Sequence, residues 1–206
     1  MKKPLKFGPL TENISKFSKP LGGVFSYADL VNLLAIQDPR RARRILLRLR
    51  EEGLILKIKR GLYTTRQPDL WTVALRLQPK SYISMDNVLA EALLIGTIPG
   101  TISAVQLGSR KKIYNTPVGI FRFYSATSRL FFGFQKRKNG IQVADKEKAY
   151  LDMLYFYLRG ARFVANPYQD VDIKKLDKQK IKQYLRAYKN PKFVTHVQGI
   201  LNENTR

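Results

Sequence analysis

Residues 38–53 read DPRRARRILLRLREEG, and their reading decides the N-terminal fold. Asp38 is a good helix N-cap. Pro39 suits the first helical position, where a backbone N–H would be unpaired anyway. Gly53 suits the residue just past the C-terminus, where the backbone turns left-handed. The punctuation predicts a helix from Pro39 to Glu52. At about 100° per residue, Ala42, Ile45, Leu46 and Leu49 share one face. Arg40, Arg44 and Arg48 fall opposite, with Arg41 beside them. The mixture of arginine and apolar residues thus separates into a core face and a cationic face. Leu47 breaks the pattern by pointing outward among the arginines, either onto the following hairpin or toward a partner.

The flanks complete a motif. Upstream, Ser26 is placed to cap YADLVNLLA, with Asp29 at the third helical position. That is a capping box with Asp in place of Glu. Ala28, Val31, Leu34 and Ala35 recur at helical spacing, and Ile36-Gln37 makes a short connection. Leu10 to Phe17 is a weaker helix, stopped by Lys19-Pro20 and Gly22-Gly23. After Gly53 the period changes to two in LILKIKRGLYTT. Leu54, Leu56 and Ile58 take one side, and Ile55, Lys57 and Lys59 the other. Arg60-Gly61 supplies the turn and Leu62-Tyr63-Thr64 returns. Helix, short turn, basic helix and basic hairpin describe a winged helix-turn-helix over residues 1–66. In that motif the second helix of the turn enters the major groove.

Charge supports a polyanionic partner. There are 38 Lys+Arg against 15 Asp+Glu, a formal net of +23. Such a field attracts nucleic acid first and anionic membrane surfaces second. Residues 1–69 carry 15 basic and 6 acidic residues, and residues 70–206 carry 23 and 9, so both halves are positive. The 44% hydrophobic content is enough for packed cores and argues against global disorder. Cysteine is absent, which excludes disulfides, thiolate catalysis and Cys-based zinc sites. One histidine, His196, excludes a multi-His metal site. MKKPLKFGPL is basic, but no apolar run of signal-peptide length follows, and no stretch reaches the roughly 20 apolar residues of a spanning helix. The expectation is a soluble, cytoplasmic protein.

TTRQPD, residues 64–69, is the expected junction to a second domain over residues 67–206. Residues 70–79 read as a short helix closed by Gln78-Pro79. Ser84 is expected to cap a helix over MDNVLAEALLIG. From Thr101 the chain turns strand-like, with the β-branched and aromatic bias of a sheet at Val118–Tyr124. Asp145 opens a helix through KEKAYLDMLYFYLRG, ended by Gly160, and the tail from Ile173 is helical with a break at Asn190-Pro191. The fold class expected is α+β: a winged helix-turn-helix plus a mixed α/β domain with an antiparallel sheet and C-terminal helices. Three basic features stand out: Arg110-Lys111-Lys112, Lys136-Arg137-Lys138, and a helical stripe of Lys174, Lys178, Lys182 and Arg186.

Catalysis has little support in the residues. Asp145, Glu147 and Asp152 are the acidic cluster, but Asp145 and Glu147 lie two apart and do not share a helix face. Asp145 reads as an N-cap, Glu147 as a first-turn acid facing the helix dipole, and Asp152 as a partner for a nearby cation. His196 reads as a packing or surface residue without partners. No Walker loop, GxGxxG or GxSxG occurs, and no cofactor or metal is expected.

Three stretches carry a family resemblance: Lys59-Arg60-Gly61-Leu62-Tyr63 in the wing, Ser81-Tyr82-Ile83-Ser84-Met85, and Val143-Ala144-Asp145-Lys146-Glu147-Lys148-Ala149-Tyr150-Leu151-Asp152. In this order and spacing the chain resembles the AbiEi antitoxins of bacterial abortive-infection (type IV) toxin–antitoxin systems over about residues 20–160. Many members carry Pro before the Glu, where this chain has Lys146. The resemblance implies a transcriptional autorepressor that binds inverted repeats in its own promoter and counters a nucleotidyltransferase-like toxin. It implies groove contacts from Arg40, Arg41, Arg44 and Arg48, with Lys59 and Arg60 from the wing. With the basic loops, the full set expected at DNA is Gln37, Arg40, Arg41, Arg44, Arg48, Lys57, Lys59, Arg60, Arg110, Lys111, Lys112, Lys136, Arg137 and Lys138. Both a monomer in solution and cooperative pairing on DNA stay open. The competing reading is a nucleic-acid-processing, nuclease-like enzyme that uses the winged helix only to dock.

Overall fold

The computed structural model describes residues 7–108, 110–137 and 139–203, so Lys138 lies outside the described residues. The chain forms two units. The first runs to Leu77 and includes Thr116–Val118; the second comprises Gln78–Asn115 and the chain from Gly119 on. Among the described residues there are eight α-helices and two sheets, one antiparallel and one mixed. No helix among them is long and apolar enough to cross a membrane.

The first unit has the order α1 (Phe7–Ser18), β1 (Val24–Ser26), α2 (Tyr27–Leu33), α3 (Pro39–Glu51), β2 (Leu56–Lys59), β3 (Leu62–Thr64) and α4 (Leu70–Leu77). The strands pair antiparallel in the order β1-β3-β2. The expected capping box on α2 is formed: Ser26 Oγ accepts from Asp29 N at 3.0 Å, and Asp29 Oδ2 accepts from Ser26 N at 2.7 Å. The helix is shorter than its apolar spacing suggests. It ends at Leu33, and Ala35 is exposed with φ +49°, while Leu30 and Leu34 enter the core. Ala35 occupies the left-handed position that glycine usually fills.

The expected division at residues 66 and 67 differs from the one observed, because α4 belongs to the first unit. Asp69 N donates to Gly22 O at 2.8 Å just before α4, and Lys59 Nζ donates to Leu77 O at its end. The core of this unit gathers Phe25, Leu30, Ala42, Ile45, Leu46, Leu49 and Ile55. Ile55 corrects the alternation read from sequence. Leu54 N and Ile55 N still bond to Leu49 O, so the helix end holds both residues and the strand starts only at Leu56.

The second unit contains β4 (Ser81–Ile83), α5 (Asp86–Glu91), β5 (Thr101–Leu107), β6 (Lys112–Thr116), β7 (Gly119–Ala126), β8 (Phe134–Lys136), β9 (Gln142–Ala144), α6 (Lys146–Tyr157), α7 (Lys178–Leu185) and α8 (Pro191–Glu203). Its sheet has the order β6-β7-β5-β4-β9-β8. The sheet is mixed, which corrects the expectation of an antiparallel one: β5 pairs β7 parallel from Thr101↔Ile120 to Leu107↔Ala126, and β4 pairs β9 parallel. β7 lies between β5 and β6, so consecutive strands β5 and β6 are not neighbours. Residues Ile102 to Gln106 of β5 are all buried, the continuous pattern of a strand covered on both faces.

Helix α6 is buried nearly all round, from Glu147 through Leu154. Asp145 is its N-cap, as expected, accepting from Lys148 N at 2.8 Å. Ser84 does not cap α5. Met85 holds that position with φ +58°, and Ser84 Oγ donates instead to Asp152 Oδ2 at 2.8 Å. The helix also stops at Glu91, well before Gly96.

Candidate nucleic-acid interface

Helix α3 is fixed at both ends by the residues that predicted it. Both oxygens of the Asp38 carboxylate accept, from Arg40 N at 3.0 Å and Arg41 N at 3.1 Å. At the other end Gly53 has φ +67°, Leu54 N bonds to Leu49 O at 2.8 Å and Gly53 N to Arg50 O at 2.9 Å. This paired closure satisfies two carbonyls that a helix end would otherwise leave open. Ala42, Ile45, Leu46 and Leu49 are buried, so the helix cannot roll without exposing them.

The outward side then carries Arg40, Arg41, Arg44 and Arg48, all exposed. Gln37 is also exposed, just before the N-cap. Arg43 and Arg50 are exposed too and extend the cationic arc beyond the residues expected at DNA, because the helical wheel places them beside Leu47. Leu47 is 50% exposed, so it faces solvent and not the hairpin. Among the described residues, Arg40, Arg41, Arg43 and Arg44 form no ion pair. Their charge is therefore available to an outside anion.

The hairpin is positioned by Tyr27 N, which donates to Gly61 O at 3.0 Å. An extra residue between Lys57 and Lys59 shifts the register of β2 against β3. Lys57 and Arg60 are exposed. Lys59 is tied down: its ammonium donates to Leu77 O at 3.0 Å and so caps the carbonyl end of α4.

The basic residues of the second unit are less uniform than their sequence suggests. Arg110, Lys111, Lys112 and Lys136 are exposed. Lys112 Nζ donates to Gln78 Oε1 at 3.3 Å, and Lys111 Nζ stands 5.1 Å from the centroid of the Tyr124 ring. Arg137 is engaged in a two-pronged pair with Glu91, at 2.7 and 2.5 Å. The hydrogen bonds from Arg137 hold the Glu91 carboxyl below its ordinary range. The stripe Lys174 to Arg186 is not one helix face. Asp177 caps a new helix, α7, which leaves Lys174 in a separate 3-10 turn and ties Lys178 Nζ to Leu201 O at 3.2 Å.

The acidic residues form two separate arrangements. Asp145, the N-cap of α6, and Glu147 in its first turn converge on one cation: Lys180 of α7 reaches both, at 3.2 and 3.3 Å. Glu147 is buried and also accepts from Asp177 N at 3.1 Å, so it ties α7 to α6 beyond any first-turn dipole role. Asp152 is paired with Lys148 and accepts from Tyr82 and Ser84. His196 has a partner after all: its Nε2 lies 2.9 Å from Tyr168 Oη. Among the described residues no group of three or more His, Asp or Glu is placed to hold a metal ion. Compared with known proteins, the chain matches no family model and no curated protein.

Proposed function

We propose that the chain is a DNA-binding transcriptional autorepressor, with its first unit a winged helix-turn-helix, and that it serves as the antitoxin of a type IV toxin–antitoxin system. The observation that carries the DNA-binding part is the exposed arginine arc of α3. Its apolar side is locked in the core and its ends are capped. A helix held this way presents guanidinium groups at fixed spacing, which suits bidentate contacts to guanine and to phosphate. The adjoining hairpin adds Lys57 and Arg60 as backbone contacts.

The antitoxin part rests on the resemblance at Ser81–Met85 and Val143–Asp152. It is supported by the meeting of those two stretches in one buried cluster, where Tyr82 and Ser84 donate to Asp152. A nucleotidyltransferase-like toxin is the partner in this reading, and the chain itself is not catalytic.

Purified full-length protein is expected to retard duplex DNA from upstream of its own gene without divalent metal, and to leave that DNA intact. Affinity is expected to fall with log salt at about 0.9 per phosphate neutralised. Equal affinity for unrelated duplexes, or magnesium-dependent cleavage of the DNA, overturns the repressor reading. Co-expression with the product of a neighbouring toxin gene is expected to restore growth, and failure to do so removes the antitoxin part alone.

A further inference from the structure

The second unit carries a cationic, aromatic cleft that promoter binding by α3 does not use. One cavity of about 420 Å³ is lined by Lys111, Tyr124, Tyr155, Phe156 and Arg159. A second of about 500 Å³ shares Tyr155 and Arg159 and adds Lys192, Phe193 and His196. The Tyr155–Arg159 pair therefore belongs to the walls of both. Each cavity falls within the roughly 300–1,000 Å³ usual for small-ligand clefts.

The lining has a defined chemistry. The Arg159 guanidinium lies 4.8 Å from the centroid of the Tyr155 ring and donates to the Tyr155 hydroxyl. Lys111 Nζ is poised over Tyr124. The rings are braced by one another: Tyr124 and Phe156 have centroids 4.9 Å apart, and Tyr155 and Phe193 5.5 Å apart. Lys111 and Arg159 are exposed. No aspartate or glutamate lines either cavity. An anion is thus favoured over a cation. A simple carboxylic acid would meet the cations and leave the rings unused, and a neutral aromatic would do the reverse.

We propose that this cleft binds a nucleoside phosphate, its phosphate against Lys111 and Arg159 and its base stacked on the Tyr155–Arg159 wall. Aromatic and guanidinium planes are sequence-tolerant stacking surfaces, and flanking cations hold the backbone charge. The same chemistry is offered by a free nucleotide and by one unit of a single strand. The cleft is independent of the reading of α3.

The test uses the full chain with four probes: adenosine monophosphate, thymidine monophosphate, inorganic phosphate and a fluorescent ten-residue oligothymidylate. Wild-type protein is expected to bind a mononucleotide by calorimetry or the oligothymidylate by fluorescence anisotropy. Arg159→Glu and Lys111→Glu are each expected to weaken that binding at least about tenfold, since both remove a charge-assisted contact and add repulsion. Mononucleotide binding assigns the site to free nucleotides, and oligothymidylate binding without it assigns the site to strands. Circular dichroism checks that each variant folds; if Arg159→Glu does not, Lys111→Glu decides. The proposal is overturned by no binding of either nucleotide form, or by inorganic phosphate competing as well as a mononucleotide. It is also overturned by reversal variants that bind like wild type, or by equal weakening in Lys182→Glu, which lies on α7 outside both cavities and reports only the general field.

Discussion

The ammonium of Lys148 and the carboxylate of Asp152 pair one turn apart on α6, with side chains 0% and 4% exposed. The second carboxylate oxygen accepts from Tyr82 at 2.9 Å and Ser84 at 2.8 Å, and the ammonium also reaches Tyr188 Oη at 3.3 Å. Burial pushes the Asp152 carboxyl above its ordinary range, against the pull of Lys148 and the hydroxyl donors. Such a pair adds little over an apolar isostere, but breaking it strands a charge. Asp152→Leu is therefore expected to cost about 3–5 kcal/mol of stability. The double variant Lys148→Met/Asp152→Leu is expected to lose much less than the single changes added together. Urea unfolding of the four proteins checks this; additive losses would mean that the two groups do not act as a pair.

Gly53 and Ala35 end their helices in the same left-handed region, at φ +67° and +49°. An L-residue there costs roughly 1–2 kcal/mol. Gly53→Ala is expected to lose about that much, and Gly53→Val more, because β-branching crowds the turn. A Cβ at Gly53 would also push aside the Arg66 guanidinium, the flexible end of an exposed side chain, and so costs little there beyond the hydrogen bond that Arg66 Nε donates to Gly53 O at 2.8 Å. Ala35→Gly is expected to run the other way and gain on the order of 0.5–1 kcal/mol, since Ala35 is exposed and buries nothing. Melting temperatures of the three variants give the comparison.

What was legible in the chain was local. Asp38 and Gly53 mark α3 because cap chemistry acts over four or five residues, and Asp145 marks α6 for the same reason. The core and cationic faces of α3 follow from its period alone. What was not legible depended on distant partners. Arg137 reads as a free cation until Glu91 meets it, and Lys59 until the end of α4 does. Ser84 has the form of a cap, but Asp152, far along the chain, takes its hydroxyl. The parallel pairing of β5 with β7 has no local signature, because strand periodicity records which face is buried and not which way a neighbour runs. The cleft around Tyr155 and Arg159 was likewise invisible, since its walls come from separate stretches of the chain.

Alkaline pH offers a second probe of the α6–α7 junction. Tyr184 Oη donates to Asp145 Oδ2 at 2.6 Å, and burial together with that carboxylate pushes the phenol up to about 12. The unfolded phenol titrates near 10. The folded state therefore holds the proton more tightly, so the contribution is fully present below about pH 10 and is lost as pH rises toward 12. Asp145→Asn keeps an N-cap on α6 but removes the charge. It is expected to lower the apparent pKa of Tyr184, followed by phenolate absorbance against a Tyr184→Phe control. An unchanged titration would show that the carboxylate does not hold this proton.

Cations that are free to meet DNA differ from those already engaged within the protein. Arg44 lies on the exposed arc of α3 and forms no ion pair among the described residues, whereas Arg137 is held by Glu91. Under the repressor reading, Arg44→Ala is expected to cost about 1–3 kcal/mol in promoter affinity, and Arg43→Ala a part of that. Arg137→Ala is expected to leave promoter affinity nearly unchanged, because the guanidinium would first have to leave its carboxylate. Its effect on folding is expected to stay within about 1 kcal/mol, as the pair is open to solvent and screened by salt. Anisotropy titrations of labelled promoter duplex at two salt concentrations decide the matter. Arg44→Ala should also reduce the salt slope by about one phosphate's share, while a larger effect from Arg137 than from Arg44 would move the DNA off α3 and onto the second unit.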